Sequence, residues 1–191
     1  MIAALALLAI TIAAGGSDEE VLKRNHVHVV ANNLVVNLCN NESTGDAELG
    51  LTTFQFQYAT TGLPHGAGAT GYAGNVAFSL GEVVIYLPKA IVWKGTGHER
   101  GRTEELRRAI LHHEVGHVRV AEAVRDELNA HPPLTAPDYF AFGAAADARG
   151  HDGFDRFIHE ERAYDDLTDH GRRQHTAPGV LSGTDTTVHC A

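Results

Sequence analysis

Lysine and arginine nowhere cluster in this chain, and 15 of them stand against 24 acidic residues, a formal net charge of −9. That sign, with no basic patch, argues against nucleic acid or anionic lipid as a partner. No segment beyond the N-terminus is apolar for the roughly 20 residues a bilayer span needs. Internal repeats and low-complexity tracts are also lacking, and the tail from Arg172, with Pro178, Gly179 and several threonines, is expected to be irregular until Cys190. The glycines between Thr61 and Asn75 have no Lys-Ser/Thr after them and open no helix, which excludes a phosphate-cradling loop and leaves a flexible one. Cysteine is nearly absent: only Cys39 and Cys190 occur.

The N-terminus carries the one long apolar run, Met1 to Ala14, ending in small residues. This is the pattern of a signal peptide's core and cleavage region. No Lys or Arg precedes it, and no Cys follows to make an ordinary lipoprotein anchor. Residues 1–16 therefore read as a signal peptide and the protein as secreted or periplasmic. A retained N-terminal anchor or a misplaced start codon are the alternatives. Residues 21–191 suffice for a single domain with one core, given 43% hydrophobic residues. In an exported chain, two distant cysteines predict one disulfide tying the tail to an early strand; in a cytosolic chain they would be two buried thiols.

Thirteen histidines are many for this length, and two of them dominate. His112-His113-Glu114-Val115-Gly116-His117 contains H-E-x-x-H. On an α-helix, residues four apart point the same way, so His113 and His117 can bind one cation. Glu114 then reaches a water on that cation, the general-base position of a zinc protease. Leu106, Ile110, His113, His117, Ala121, Val124 and Leu128 follow 3-4 spacing, which puts both histidines on the core-facing stripe. Thr103 can cap this helix and Pro132-Pro133 end it. The bland alternative is two satisfied histidines on a buried helix face.

The first half reads as strands. Asn25–Val30 and Leu34–Cys39 are short ones joined at Asn32-Asn33, with His26 and His28 on one face. Leu51–Tyr58 alternates Phe54, Phe56 and Tyr58 with Gln55 and Gln57. Val76–Leu80 and Glu82–Leu87 follow, with Gly81 a bulge or a turn. Gly95–Gly101 is a charged loop. The second half is helical: a short helix over Pro137–Arg149 stopped by Gly150, then one over Phe154–Asp169 with Gly171 at its C-cap. Strands followed by helices give an α+β fold.

A catalytic zinc takes three protein ligands and leaves a position for water. Glu122 lies about 180° round the helix from His113 and reads as a supporting carboxylate. Glu161 falls on the apolar stripe of Phe154, Phe157, Tyr164 and Thr168, which makes it a candidate third ligand or a hydrogen-bond partner for a histidine. His170, near the helix end, is the other candidate.

Leu111–His117 with Glu122, and Tyr164-Asp-Asp-Leu-Thr-Asp-His-Gly171 with Gln174, resemble a DUF922-like bacterial family of predicted secreted zinc-dependent proteases of unknown function. That family shows H-E-x-G-H followed by E, and later Y-D-x-x-T-x-H-G-x-x-Q. The resemblance covers about Leu106 to Gln174, while the strand half agrees in layout, including Val84–Pro88. It implies His113, His117 and His170 as ligands of Zn²⁺ and Glu114 as catalytic base, with Tyr164, Asp165 and Thr168 supporting. Val115 in place of Gln, and Val118-Arg119 in place of Phe-Asp, are departures that bear on substrate preference.

Together these readings define the expectation: a zincin-like α+β domain whose antiparallel β-rich half packs on the metal helix and a C-terminal helix. It would be an exported zinc metallopeptidase acting on a peptide or protein substrate, with Glu122 or Asp165 orienting a ligand histidine and Tyr164 either an oxyanion donor or a packed core residue. A non-catalytic extracytoplasmic protein with structural zinc, or a zinc hydrolase cutting a cell-wall amide, are the rival expectations.

Overall fold

The structure, a computed structural model, describes residues 16–38, 49–64, 71–93 and 99–186. The apolar leader up to residue 15 and both cysteines, with their expected disulfide, lie outside the described residues.

A long helix, α2 (Glu99–Asn129), is the centre of the molecule. Every residue of the stripe from Leu106 to Leu128 is buried, as its 3-4 spacing requires. The middle of the helix is buried on its other faces too, because three elements cover it. On one side lies a four-stranded sheet in which β4 (Tyr72–Leu87) is flanked by β3 (Leu51–Pro64) along one edge. Its other edge holds β1 (His28–Ala31) and, at the far end, β6 (Leu134–Ala136). On another side lies α3 (Tyr139–Thr168), and α1 (Asp18–Arg24) covers the rest.

The mixed α+β class stands, but the strand half is not purely antiparallel. β3 and β6 run antiparallel to β4, whereas β1 runs parallel to it. A separate ribbon pairs β2 (Val35–Leu38) with β5 (Ala90–Trp93), also in parallel. Asn32-Asn33 makes a kink between β1 and β2, not a reversal. The Asn32 Oδ1 accepts from the Leu34 N–H at 2.8 Å, so the chain bends and continues alongside β4 and then β5. His26 sits in the left-handed region at φ 50, before β1 begins, so it does not share a strand face with His28.

Gly81 does not end a strand. β4 passes through it, and the register slips there, with Phe54 opposite Val83 but Phe56 opposite Leu80, which is a bulge. Much of the stretch expected to be a flexible loop is strand: β3 runs on to Pro64 and β4 starts at Tyr72.

Two helix boundaries also differ from expectation. α2 begins at Glu99, so Thr103 lies within it and does not cap it. The two expected C-terminal helices are one, α3, capped at its start by Asp138. Gly150 and Gly153 do not break it, because each faces a sheet ring at a distance no side chain permits. A Cβ at Gly150 would run into the Tyr58 ring, and one at Gly153 into the Phe78 ring. The glycines cost about 1 kcal/mol each in helix propensity but let α3 lie flat on the sheet. Phe157 then stacks on Phe56 at 4.4 Å and meets Phe54 edge-on at 5.5 Å.

Candidate metal centre

His113 and His117 leave α2 one turn apart and turn toward α3. Each ring is held at its Nδ1. His113 Nδ1 lies 3.0 Å from the Gln174 Oε1, and His117 Nδ1 lies 2.6 Å from the Glu161 Oε2. An amide oxygen and a carboxylate only accept, so these contacts put a ring proton on Nδ1, and in the neutral ring Nε2 keeps its lone pair. Both Nε2 atoms converge on one oxygen: Asp165 Oδ1 is 3.3 Å from that of His113 and 3.1 Å from that of His117. His113, His117 and Asp165 form the one group among the described residues whose ligand atoms are close enough together to hold a metal ion.

The spacing fits zinc. Ligands bound at about 2.0–2.1 Å on a tetrahedral ion lie about 3.3–3.4 Å apart. The charges fit a cation as well. Glu114, Glu161 and Asp165 meet His113 and His117 here. Burial opposes a charge on His117, but Glu161 and Asp165 outweigh it and raise its pKa well above the usual histidine value. Burial likewise opposes ionisation of Asp165, and the His113 and His117 imidazoles beside it overcome that effect, holding the carboxyl well below the ordinary range. The carboxylates thus favour a positive charge at the point where the two Nε2 atoms meet.

Tyr164 forms the floor. Its ring stacks on His113 at 5.1 Å and stands edge-on to His117 at 4.9 Å. Its hydroxyl donates to the His113 carbonyl at 3.3 Å and accepts from Gln174 Nε2 at 2.7 Å, and the residue is fully buried. It is a packed core residue and cannot serve as an oxyanion donor. This packing explains the glycine in the motif, since a Cβ at Gly116 would collide with the Tyr164 hydroxyl.

Glu114 is buried on the cleft wall, and burial pushes its carboxyl above the usual range against the pull of His117 and the Thr52 hydrogen bond. Thr52, on β3, donates to Glu114 Oε2 at 2.6 Å. Gly50 passes the same carboxylate so closely that a Cβ there would lie 2.8 Å from Cδ. Neither residue carries a sequence signal, because β3 reaches Glu114 only through the fold.

His170 lies in the same cleft without joining the convergent group. α3 ends at Thr168, and Asp169, His170 and Gly171 all take positive φ (51, 50 and 84). This reversal leaves the His170 side chain 56% exposed at the rim, with Nδ1 3.5 Å from Asp165 Oδ1. Thr168 secures the turn, donating to the Tyr164 carbonyl at 2.9 Å and accepting from the Gly171 N–H at 3.3 Å. Gly171 packs on His113, where a Cβ would come within 3.1 Å of Cγ.

Glu122 is remote from the centre. It binds Arg24 through both oxygens at 2.6 and 2.5 Å, accepts from Asn25, and so fastens α1 to α2. Val115 and Val118 are buried against Val21, Val83 and Ile85, and Arg119 binds Asp18 at 3.0 Å. The three departures thus face α1 and the sheet, not the cleft.

The cleft itself measures about 170 Å³ and is lined by His113, Glu114, His117, Glu161, Asp165 and His170 together with residues of β3 and Thr186. It defines a class: an α+β domain with an H-E-x-x-H helix at its centre and a His-His-Asp group suited to a metal ion. The chain belongs to the bacterial family of proteins of unknown function DUF922, whose model matches residues 36–171. No curated protein and no solved structure matches the chain.

Proposed function

We propose that this protein is an exported, zinc-dependent metallopeptidase of zincin-like architecture. The observation that carries the reading is the convergence of two Nδ1-anchored imidazoles on Asp165 Oδ1, with Glu114 on the same wall. His113, His117 and Asp165 would hold the Zn²⁺, a nitrogen–oxygen set that suits this ion. Zinc held there supplies Lewis acidity, lowering the pKa of a water and polarising a carbonyl. Glu114 is the general base. Its Oε2 is occupied by Thr52, so Oε1 takes the proton from the attacking water and passes it to the leaving amine. Its raised pKa suits a group that must both accept and return a proton. Gln174 and Glu161 keep the ligand rings oriented, and β3 holds the base against the cleft.

A structural zinc would need a fourth protein ligand, and His170, 3.5 Å from Asp165, is the residue placed to supply one. The test separates the two. Glu114→Gln should keep stoichiometric zinc and lose at least about 10²-fold in hydrolysis, while His113→Ala loses the metal. Peptide and cell-wall amide substrates assayed side by side give the substrate class. Loss of zinc from Glu114→Gln as complete as from His113→Ala would make Glu114 a ligand and overturn the mechanism.

A further inference from the structure

Arg162 follows Glu161 on α3 and lies about 100° round the helix from it and about 60° from Asp165. It therefore emerges beside the buried face, exposed to solvent, and it is one of the residues lining the cleft. The other arginines of α3 are engaged elsewhere. Arg149 donates to the Pro132 carbonyl at 2.7 Å, and Arg156 pairs with Glu160 at 2.8 Å. Asp166 stands one turn beyond Arg162, in position for an i,i+4 pair. Among the described residues, however, Arg162 makes no ion pair or hydrogen bond. The rest of the described cleft wall is neutral residues of α2, of β3 and the two residues before it, and Thr186, with three histidines and three carboxylates. Among the described residues, Arg162 is its one permanently charged cation.

We propose, building on the metallopeptidase reading, that Arg162 determines specificity by taking a substrate carboxylate close to the scissile amide. A guanidinium presents a planar fork that matches a carboxylate in two parallel hydrogen bonds. The surroundings make the cation necessary for such a substrate. The chain carries a net charge of −9, and Glu114, Glu161 and Asp165 would repel an anion entering the cleft. Preferred substrates are accordingly acidic peptides, with the carboxylate on an Asp or Glu side chain or at the peptide's own C-terminus.

The test uses the zinc-loaded full chain and two matched pairs of peptide hydroxamates, titrated calorimetrically. One pair differs as Glu against Gln beside the hydroxamate, the other as free C-terminal carboxylate against amide. In the wild type, the acid of one pair binds at least about 10-fold tighter than its neutral partner, and that pair identifies the source of the carboxylate. Arg162→Gln brings the ratio to about one, and Arg162→Glu inverts it. Zinc content is measured in the same samples. Zinc-loaded wild type that binds both members of each pair equally, or Arg162→Gln with its ratio unchanged, overturns the assignment and leaves the metal site standing. Failure to take up zinc overturns the metallopeptidase reading and this one with it.

Discussion

Asp165 and His170 stand five residues apart and compete for one role. Asp165 Oδ1 already lies between the two Nε2 atoms, whereas His170 approaches only the Asp165 side and is half exposed. Asp165→Ala should therefore weaken zinc more than His170→Ala. Glu161→Gln and Gln174→Ala, which touch only the far nitrogen of a ligand ring, should each cost about 10–100-fold. Competition with a chelator at one pH measures all four, the pH being fixed because protons compete with zinc for the imidazoles. A greater loss in His170→Ala would make that histidine the third ligand. The helical spacing of Glu161 put it on the right face, and its contact with His117 Nδ1 shows the hydrogen-bonding role that spacing left open. Asp165 could not be singled out in that way, since a carboxylate beside a tyrosine is common on any helix.

α1 owes its place to charge as much as to Val21, which is fully buried against α2 and the sheet. Its own end is sound: Ser17 and Glu20 form a reciprocal cap. Asp18 is bound by His112 at 2.8 Å and Arg119 at 3.0 Å, and Glu122 is bound by Arg24 and Asn25, with Arg125 nearby. Burial works against both carboxylates, yet these partners lower both pKa values. A lowered folded pKa means stability that is present above the unfolded values, about 3.9 for Asp and 4.3 for Glu, and lost as pH falls through the folded ones. Amide protection factors across α1 should fall on acidification below about pH 4 before global unfolding. A chain carrying both Asp18→Asn and Glu122→Gln should show fast exchange in α1 already at neutral pH, with no further acid step. Unchanged α1 protection in that double variant would mean that Val21 alone holds the helix.

The whole molecule is joined where α3 lies on the sheet, and Phe157 is the centre of that contact. It is 8% exposed and touches Phe54, Phe56 and Phe154. Phe157→Ala should cost about 3–5 kcal/mol in denaturant unfolding. Phe154→Ala, at a residue 44% exposed, should cost far less. Equal losses would show that α3 is held by its ends and not by this stack.

Local periodicity was enough to determine α2, its buried face and the pairing of His113 with His117, because a 3.6-residue repeat is written into neighbouring residues. It determined β3 and the α+β order of elements for the same reason. Tertiary structure alone decided what lies between those elements. Gly150 and Gly153 look like helix breakers until the Tyr58 and Phe78 rings are set against them. β1 and β2 read only as two short strands joined at Asn32-Asn33 until β4 and β5 take them as parallel neighbours. Thr52 and Gly50 reach Glu114 across 62 and 64 residues, and Gln174 reaches His113 across 61. A sequence states which faces are apolar and where charges lie along one element. Which polar atoms meet depends on how those elements pack, and beyond the His113–His117 pair the candidate metal centre is made of such meetings.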